Sequence, residues 1–170
     1  MSEQKLVIDQ LKLNYEGLFD LNGLYRTITA HFYEKGYDMR EDKNYEQVLP
    51  TGKDIEIELR PWKKTTEYFK NIIKVRMKFL NVKNVEVEKE GHTIKINQGK
   101  IMMILDGYLV SDYENKWERD PLLYFIRTIY DKYIFKRYFA QAEKWLVNDV
   151  YQLHGKIQKY LNLYHYEKHI

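Results

Sequence analysis

The residues best able to do chemistry here are cations set beside aromatic rings, and the most compact group is Trp62-Lys63-Lys64, expected at a loop tip. An indole face can stack on a base while two ammonium groups meet phosphates, so the triplet is a candidate partner contact. The plainer reading is a tryptophan folded over the end of a sheet between solvated lysines. A second group, Lys70, Lys74, Arg76 and Lys78, falls mostly on alternate positions and could also hold phosphates. A third lies in residues 121–170, where eight cations stand against four anions, a balance of +4 against −1 for the rest of the chain. There Lys132, Lys136, Arg137, Lys144, Lys156 and Lys159 are interleaved with Tyr130, Tyr133, Phe135, Tyr138, Phe139, Trp145 and Tyr151. Aromatic residues on more than one face of a helix favour an interface over a single core stripe.

Catalytic chemistry has little to stand on. The chain has no cysteine, which removes thiolate nucleophiles and thiolate metal sites. Of five histidines only His165 and His169 have the i, i+4 spacing of metal ligands, and they sit in the last few residues, so no metal site is expected. Asp106, between apolar neighbours, could be a buried acid, but a turn or bulge residue is the simpler assignment, with Asp106-Gly107 interrupting its strand as a bulge or as a place where the sheet curls. There is no glycine-rich phosphate loop, no nucleophile elbow and no Cys/His pair, and nothing asks for a cofactor.

These groups must be positioned by elements that the patterning makes visible. Leu6 to Ile8 with Leu11, Leu13 and Tyr15 read as one bent strand or two short ones ending near Gly17. Asp20 can cap a helix whose apolar positions are Leu21, Leu24, Tyr25, Ile28 and Phe32, with Gly36 closing it. Tyr45 to Leu49 is a strand, and Pro50-Thr51-Gly52 turns it into a four-stranded antiparallel meander over 54–110. In its central strand Ile73, Val75, Met77 and Phe79 alternate with Lys74, Arg76 and Lys78, so one face is apolar and the other cationic. Glu56 and Glu58 before it, and Glu86 and Glu88 after it, alternate with the same period. Flanking acidic strands would turn the basic face into an ion-pair ladder rather than a phosphate site.

Asn71 breaks the alternation, which predicts a bulge beside it, and Asn81–Asn84, Glu90-Gly91 and Asn97–Gly99 read as turns. The last strand is apolar on both faces: Met103 and Leu105 on one, Met102, Ile104, Tyr108 and Val110 on the other. Such a strand is covered twice, and the second cover is assigned to another copy of the chain. Asp120-Pro121 opens a second helix, whose apolar pattern runs without a breaker to Gly155. Residues 1–155 form one domain on this reading, and 156–170 a helical tail.

The order of strand, helix, antiparallel sheet and long C-terminal helix resembles the helix-grip fold of the START and polyketide-cyclase-like superfamily. The matching pieces are 11–19 leading into Asp20-Leu21-Asn22-Gly23-Leu24, the meander of 45–110, and Asp120-Pro121-Leu122. The resemblance is one of element order, without a diagnostic motif. It implies a cavity between sheet and long helix able to hold an apolar small molecule, which Met77, Met103, Leu105 and Ile126 would line. The expected fold class is α+β, with a curled antiparallel sheet, an N-terminal helix and a long C-terminal helix.

Composition narrows the setting. A chain of 170 residues with 44% hydrophobic and 31% charged residues is globular. No signal peptide or run of about 18 apolar residues is visible, and the lack of cysteine fits an intracellular, cytoplasmic protein. Sixteen tyrosines with abundant Lys and Glu resemble thermophile composition. The function that fits is non-catalytic: a homodimer docking its basic, aromatic C-terminal region on a larger partner, an RNA or a ribosomal or other RNA–protein particle. The alternative is a carrier or sensor of an apolar small molecule.

Overall fold

A computed structural model describes residues 3–89, 91–111, 113, 126, 129 and 135–165. Strand β1 (Glu3–Phe19) leads through Asp20 into helix α1 (Leu21–Glu34). Strands β2 (Glu41–Leu49), β3 (Gly52–Leu59) and the short β4 (Trp62–Lys64) follow. Two long strands, β5 (Phe69–Lys89) and β6 (His92–Ser111), precede helix α2 (Phe135–His165). The element and strand order is consistent with a helix-grip-like arrangement.

The helix ends follow from their residues. The Asp20 carboxylate accepts the Asn22 N–H at 3.1 Å, and Gly36, at φ +74°, takes the left-handed turn just past the other end of α1. On α2 a single stripe, Ala142, Leu146, Val150, Leu153, Ile157 and Leu161, is buried. It continues through Gly155, which lies inside the helix and does not end it. Gly23 permits a close crossing of the helices, since a Cβ there would collide with the Tyr160 hydroxyl, which donates to the Asp20 carbonyl at 3.2 Å.

All pairings are antiparallel, in the order β1-β6-β5-β3-β2, with β4 added on β5. The expected curled sheet is not what forms. The sheet is open, with β1 and β2 as separate edges. The cause lies in the central pair: β5 and β6 stay in register from Phe69↔Ser111 to Leu80↔Lys100, so no bulge bends the middle of the sheet. The bulge expected at Asn71 is absent, and Asp106-Gly107 does not interrupt β6. The irregularities fall in β1, where Gln10 sits at φ +49°, in β5, where Asn81 sits at φ +51°, and at the edge in β2, between Glu41 and Lys43.

Nor are Asn81–Asn84 and Asn97–Gly99 turns. Both lie inside the two long strands, whose only reversal is at Gly91. At the bulge the β5 backbone crowds Gly99, where a Cβ would stand 2.9 Å from the Leu80 carbonyl oxygen. Glu86 and Glu88 therefore continue the basic strand instead of flanking it.

The inner face of the sheet carries Ile73, Val75, Met77 and Phe79 from β5 and Ile101, Met103, Leu105 and Leu109 from β6. They form one buried cluster with Leu24, Ile28 and Phe32 of α1 and the α2 stripe. Both described helices thus cover the same side. No described helix is long and apolar enough to cross a membrane.

Candidate partner-binding face

The opposite face of the sheet has no described helix over it, and strand register determines what it presents. β6 has no extra residue along its length, so its even positions, Met102, Ile104, Asp106, Tyr108 and Val110, all point outward. Across the sheet Leu6, Tyr108, Ile72 and Trp62 align on β1, β6, β5 and β4, an apolar row four strands wide. Leu6 is 44% exposed, and Tyr108, Ile72 and Trp62 are half-buried. Nearer the middle of the sheet Met102 is 39% exposed and Ile104 half-buried, while Val110, beyond the row, is buried. A row of this kind is the sort of surface that protein partners cover.

Charge on this face is largely neutralised within the chain. Lys74 reaches Glu58 at 2.8 Å, Lys78 reaches Glu56 at 3.1 Å, and Arg76 reaches Asp106 at 2.5 Å. Lys43 also pairs with Glu56, and the hydrogen bonds from Lys43 and Lys78 hold that carboxyl below the usual range. Lys70 stands over the Trp62 ring at 4.1 Å. The ladder forms with β3 and with Asp106.

The Trp62-Lys63-Lys64 triplet is an edge strand rather than a loop tip, so its side chains divide between faces. Trp62 and Lys64 register with Ile72 and Lys70 outside. Lys63 pairs with Asn71 on the inner side, and its ammonium donates to the Lys35 carbonyl at 2.6 Å, at the C-terminal end of α1. Lys64 lies over the Tyr113 ring at 5.1 Å.

A second surface runs along α2 away from the core. Arg137, Lys144 and Tyr151, spaced by seven residues, share one exposed ridge with Lys159, while Lys136 is exposed on a neighbouring stripe. Lys136, Arg137, Lys144 and Lys159 make no ion pair with another described residue. Lys156 instead pairs with Glu34 of α1 at 2.7 Å. Tyr138 and Trp145, 59% and 44% exposed, border a groove of about 400 Å³ whose other wall is Thr66–Phe69. Lys132 lies outside the described residues, as do the start of the C-terminal helical pattern at Asp120-Pro121 and His169.

Met77, Met103 and Leu105, expected to line a ligand cavity, are packed together in the core cluster, and Ile126 is 46% exposed. Asp106 is buried and structural in its contacts: one carboxylate oxygen takes Arg76, and the other accepts the Gln10 N–H at 2.8 Å, fixing the β1 bulge.

Sequence reasoning missed a buried polar cluster where α1, α2 and the sheet meet. Tyr37 donates to the Asp149 carboxylate at 3.0 Å and is hydrogen-bonded by Asn71. His31 Nε2 meets the Asp149 carbonyl at 3.0 Å, and Lys35 lies 3.4 Å from the carboxylate. Burial, then the Asp149 charge, pushes the Tyr37 phenol up, while burial holds His31 below the usual histidine value. The signal was present: His31, Asn71 and Asp149 each occupy a position on the apolar stripe of their own element.

Comparison with protein-family models finds no family that matches this chain, and a search of curated proteins finds none that matches it.

Proposed function

We propose that the chain is a non-catalytic binding and assembly protein that pairs with a second copy through the outer face of its sheet. The observation carrying this is the Leu6-Tyr108-Ile72-Trp62 row with Met102 and Ile104, an apolar surface left open while both described helices lie on the other side. Because Lys74, Arg76 and Lys78 on that face already have counter-ions in the same chain, a second copy can approach the β5 part of the face without opposing unpaired cations there, while Lys12, beside Ile104, stays exposed on the β1 side. Pairing there leaves the α2 ridge of Arg137, Lys144 and Lys159 outward, where it docks on an anionic partner, an RNA or an RNA–protein particle.

The test is the mass of the double variant Leu6→Glu/Met102→Glu by light scattering. Both side chains are exposed, so the fold tolerates the change while the interface acquires unpaired carboxylates. A dimeric parent and a monomeric variant support the reading. A variant as dimeric as its parent removes the outer face from the account.

A second reading, a carrier of an apolar small molecule, draws on the groove between Tyr68 and Phe69 on one wall and Tyr138, Ala142 and Trp145 on the other. Its volume of about 400 Å³ is of ligand size. A lipid or other apolar compound leaving with the purified protein, seen by native mass spectrometry, would favour it.

A further inference from the structure

The β5–β6 hairpin outruns the rest of the sheet. β3 leaves β5 at Lys53↔Val82 and β1 leaves β6 at Phe19↔Asn97, so residues 85–96 continue as two strands alone. From Val85 to Lys89 this arm extends about 14 Å beyond the body. Its register is sharply two-faced: Val85 faces Ile96 and Val87 faces Ile94, while Glu86 faces Lys95 and Glu88 faces Thr93. Ile94 is 43% exposed. Two strands with one apolar face are marginal in water unless something packs on that face.

The direction of that face identifies the occupant. Ile94 and Ile96 are even positions of β6, as are Met102, Ile104 and Tyr108, and β6 carries no extra residue between them. The arm's aliphatic patch and the Leu6-Tyr108-Ile72-Trp62 row therefore point to the same side, at opposite ends of one strand. Ile96 and Tyr108 are separated by about 40 Å along it. A two-fold axis near Met102 places the arm of each copy over the row of the other. The stretch between holds Lys78–Glu56, Lys74–Glu58 and Arg76–Asp106, already paired within each chain. The arm's patch is wholly aliphatic, without the aromatic rings or cations that a nucleic acid requires.

We propose that the 85–96 arm is a dimer clasp, its Val85, Val87, Ile94 and Ile96 closing over the outer row of a second copy. This rests on the dimer reading above and specifies how that dimer is locked. The chain has no cysteine, so introduced thiols report without background. Leu6→Cys and Ile94→Cys proteins, mixed in equal amounts under mild oxidation, should give a disulfide-linked heterodimer several-fold above the cross-linking of either alone. Val87→Asp/Ile94→Asp, on an arm outside the core, should keep the circular dichroism spectrum and weaken dimerisation by about tenfold or more. A dimer of unchanged affinity in that variant, or no heterodimer cross-link from a dimeric protein, overturns the clasp and leaves the dimer reading standing. A monomeric parent overturns both.

Discussion

Replacing Asp106 by alanine separates a structural carboxylate from a catalytic one, and the geometry gives a size to the effect. Asp106 is 3% exposed, takes Arg76 Nη2 at 2.5 Å, and accepts the Gln10 N–H at 2.8 Å. Losing a charged acceptor at a partly buried backbone N–H costs about 1.5 kcal/mol or somewhat more. The Arg76 pair adds only about 1 kcal/mol, because 36% exposure of that side chain lets water screen it. Arg76 Nε, buried and without a hydrogen-bond partner, has no second acceptor to turn to. The sum, about 2.5 kcal/mol, corresponds to about 5–10 °C in Tm for a chain of this length. Asp106→Asn keeps an acceptor for Gln10 and should cost about 1 kcal/mol. Urea titration is the assay, with the midpoint moving and the slope unchanged, since the loss is local. An Asp106→Ala protein within about 0.5 kcal/mol of its parent would refute the bulge-anchoring role.

Two further outcomes follow from the polar cluster and from the exposed helix ridge. Burial holds His31 neutral with its pKa below 6.5, so the unfolded chain binds a proton that the folded chain refuses as pH falls below about 6.5. That contribution to stability is complete above this pH and is lost on acidification down to the folded pKa; the Tm of the parent should fall more between pH 7 and 5 than that of His31→Gln, and equal falls would contradict it. For the α2 ridge, RNA binding should weaken with salt, and replacing Arg137, Lys144 and Lys159 by Gln should flatten the log–log salt slope. The change is about 0.7 for each single-strand phosphate that the variant no longer neutralises. An unchanged slope in fluorescence anisotropy would place the partner elsewhere.

What could be read from residue types was mostly local. Asp20, the Leu24–Ile28–Phe32 spacing and Gly36 specify α1 without outside help, because cap, stripe and stop are neighbours in sequence. The alternation of β5 likewise gave its two faces and a ladder with Glu56 and Glu58, which forms as Lys78–Glu56 and Lys74–Glu58. Register was harder, since asparagines and a glycine fit a turn and a bulge equally well. Asn81 and Gly99 resolve into one bulge packed on one glycine only when the two long strands are aligned, and that alignment creates the arm. Curling failed for a related reason: Asp106-Gly107 looks like a break, yet its carboxylate is employed across the sheet, holding a bulge in β1. Trp62 and Lys64 stand far from Met102 and Tyr108 in sequence, and their shared face needs strand order to emerge. Asn71 looks like an irregularity because its partner, Tyr37, lies 34 residues before it, and Tyr37's own acceptor, Asp149, lies 78 residues after it.

The central claim is that the open face of the sheet is closed by a second copy. Sedimentation equilibrium of the parent chain across about a hundredfold range of concentration measures this directly. The account predicts a mass approaching twice the 20.8 kDa of the chain, falling toward the single-chain value on dilution. A single-chain mass throughout that range would contradict it.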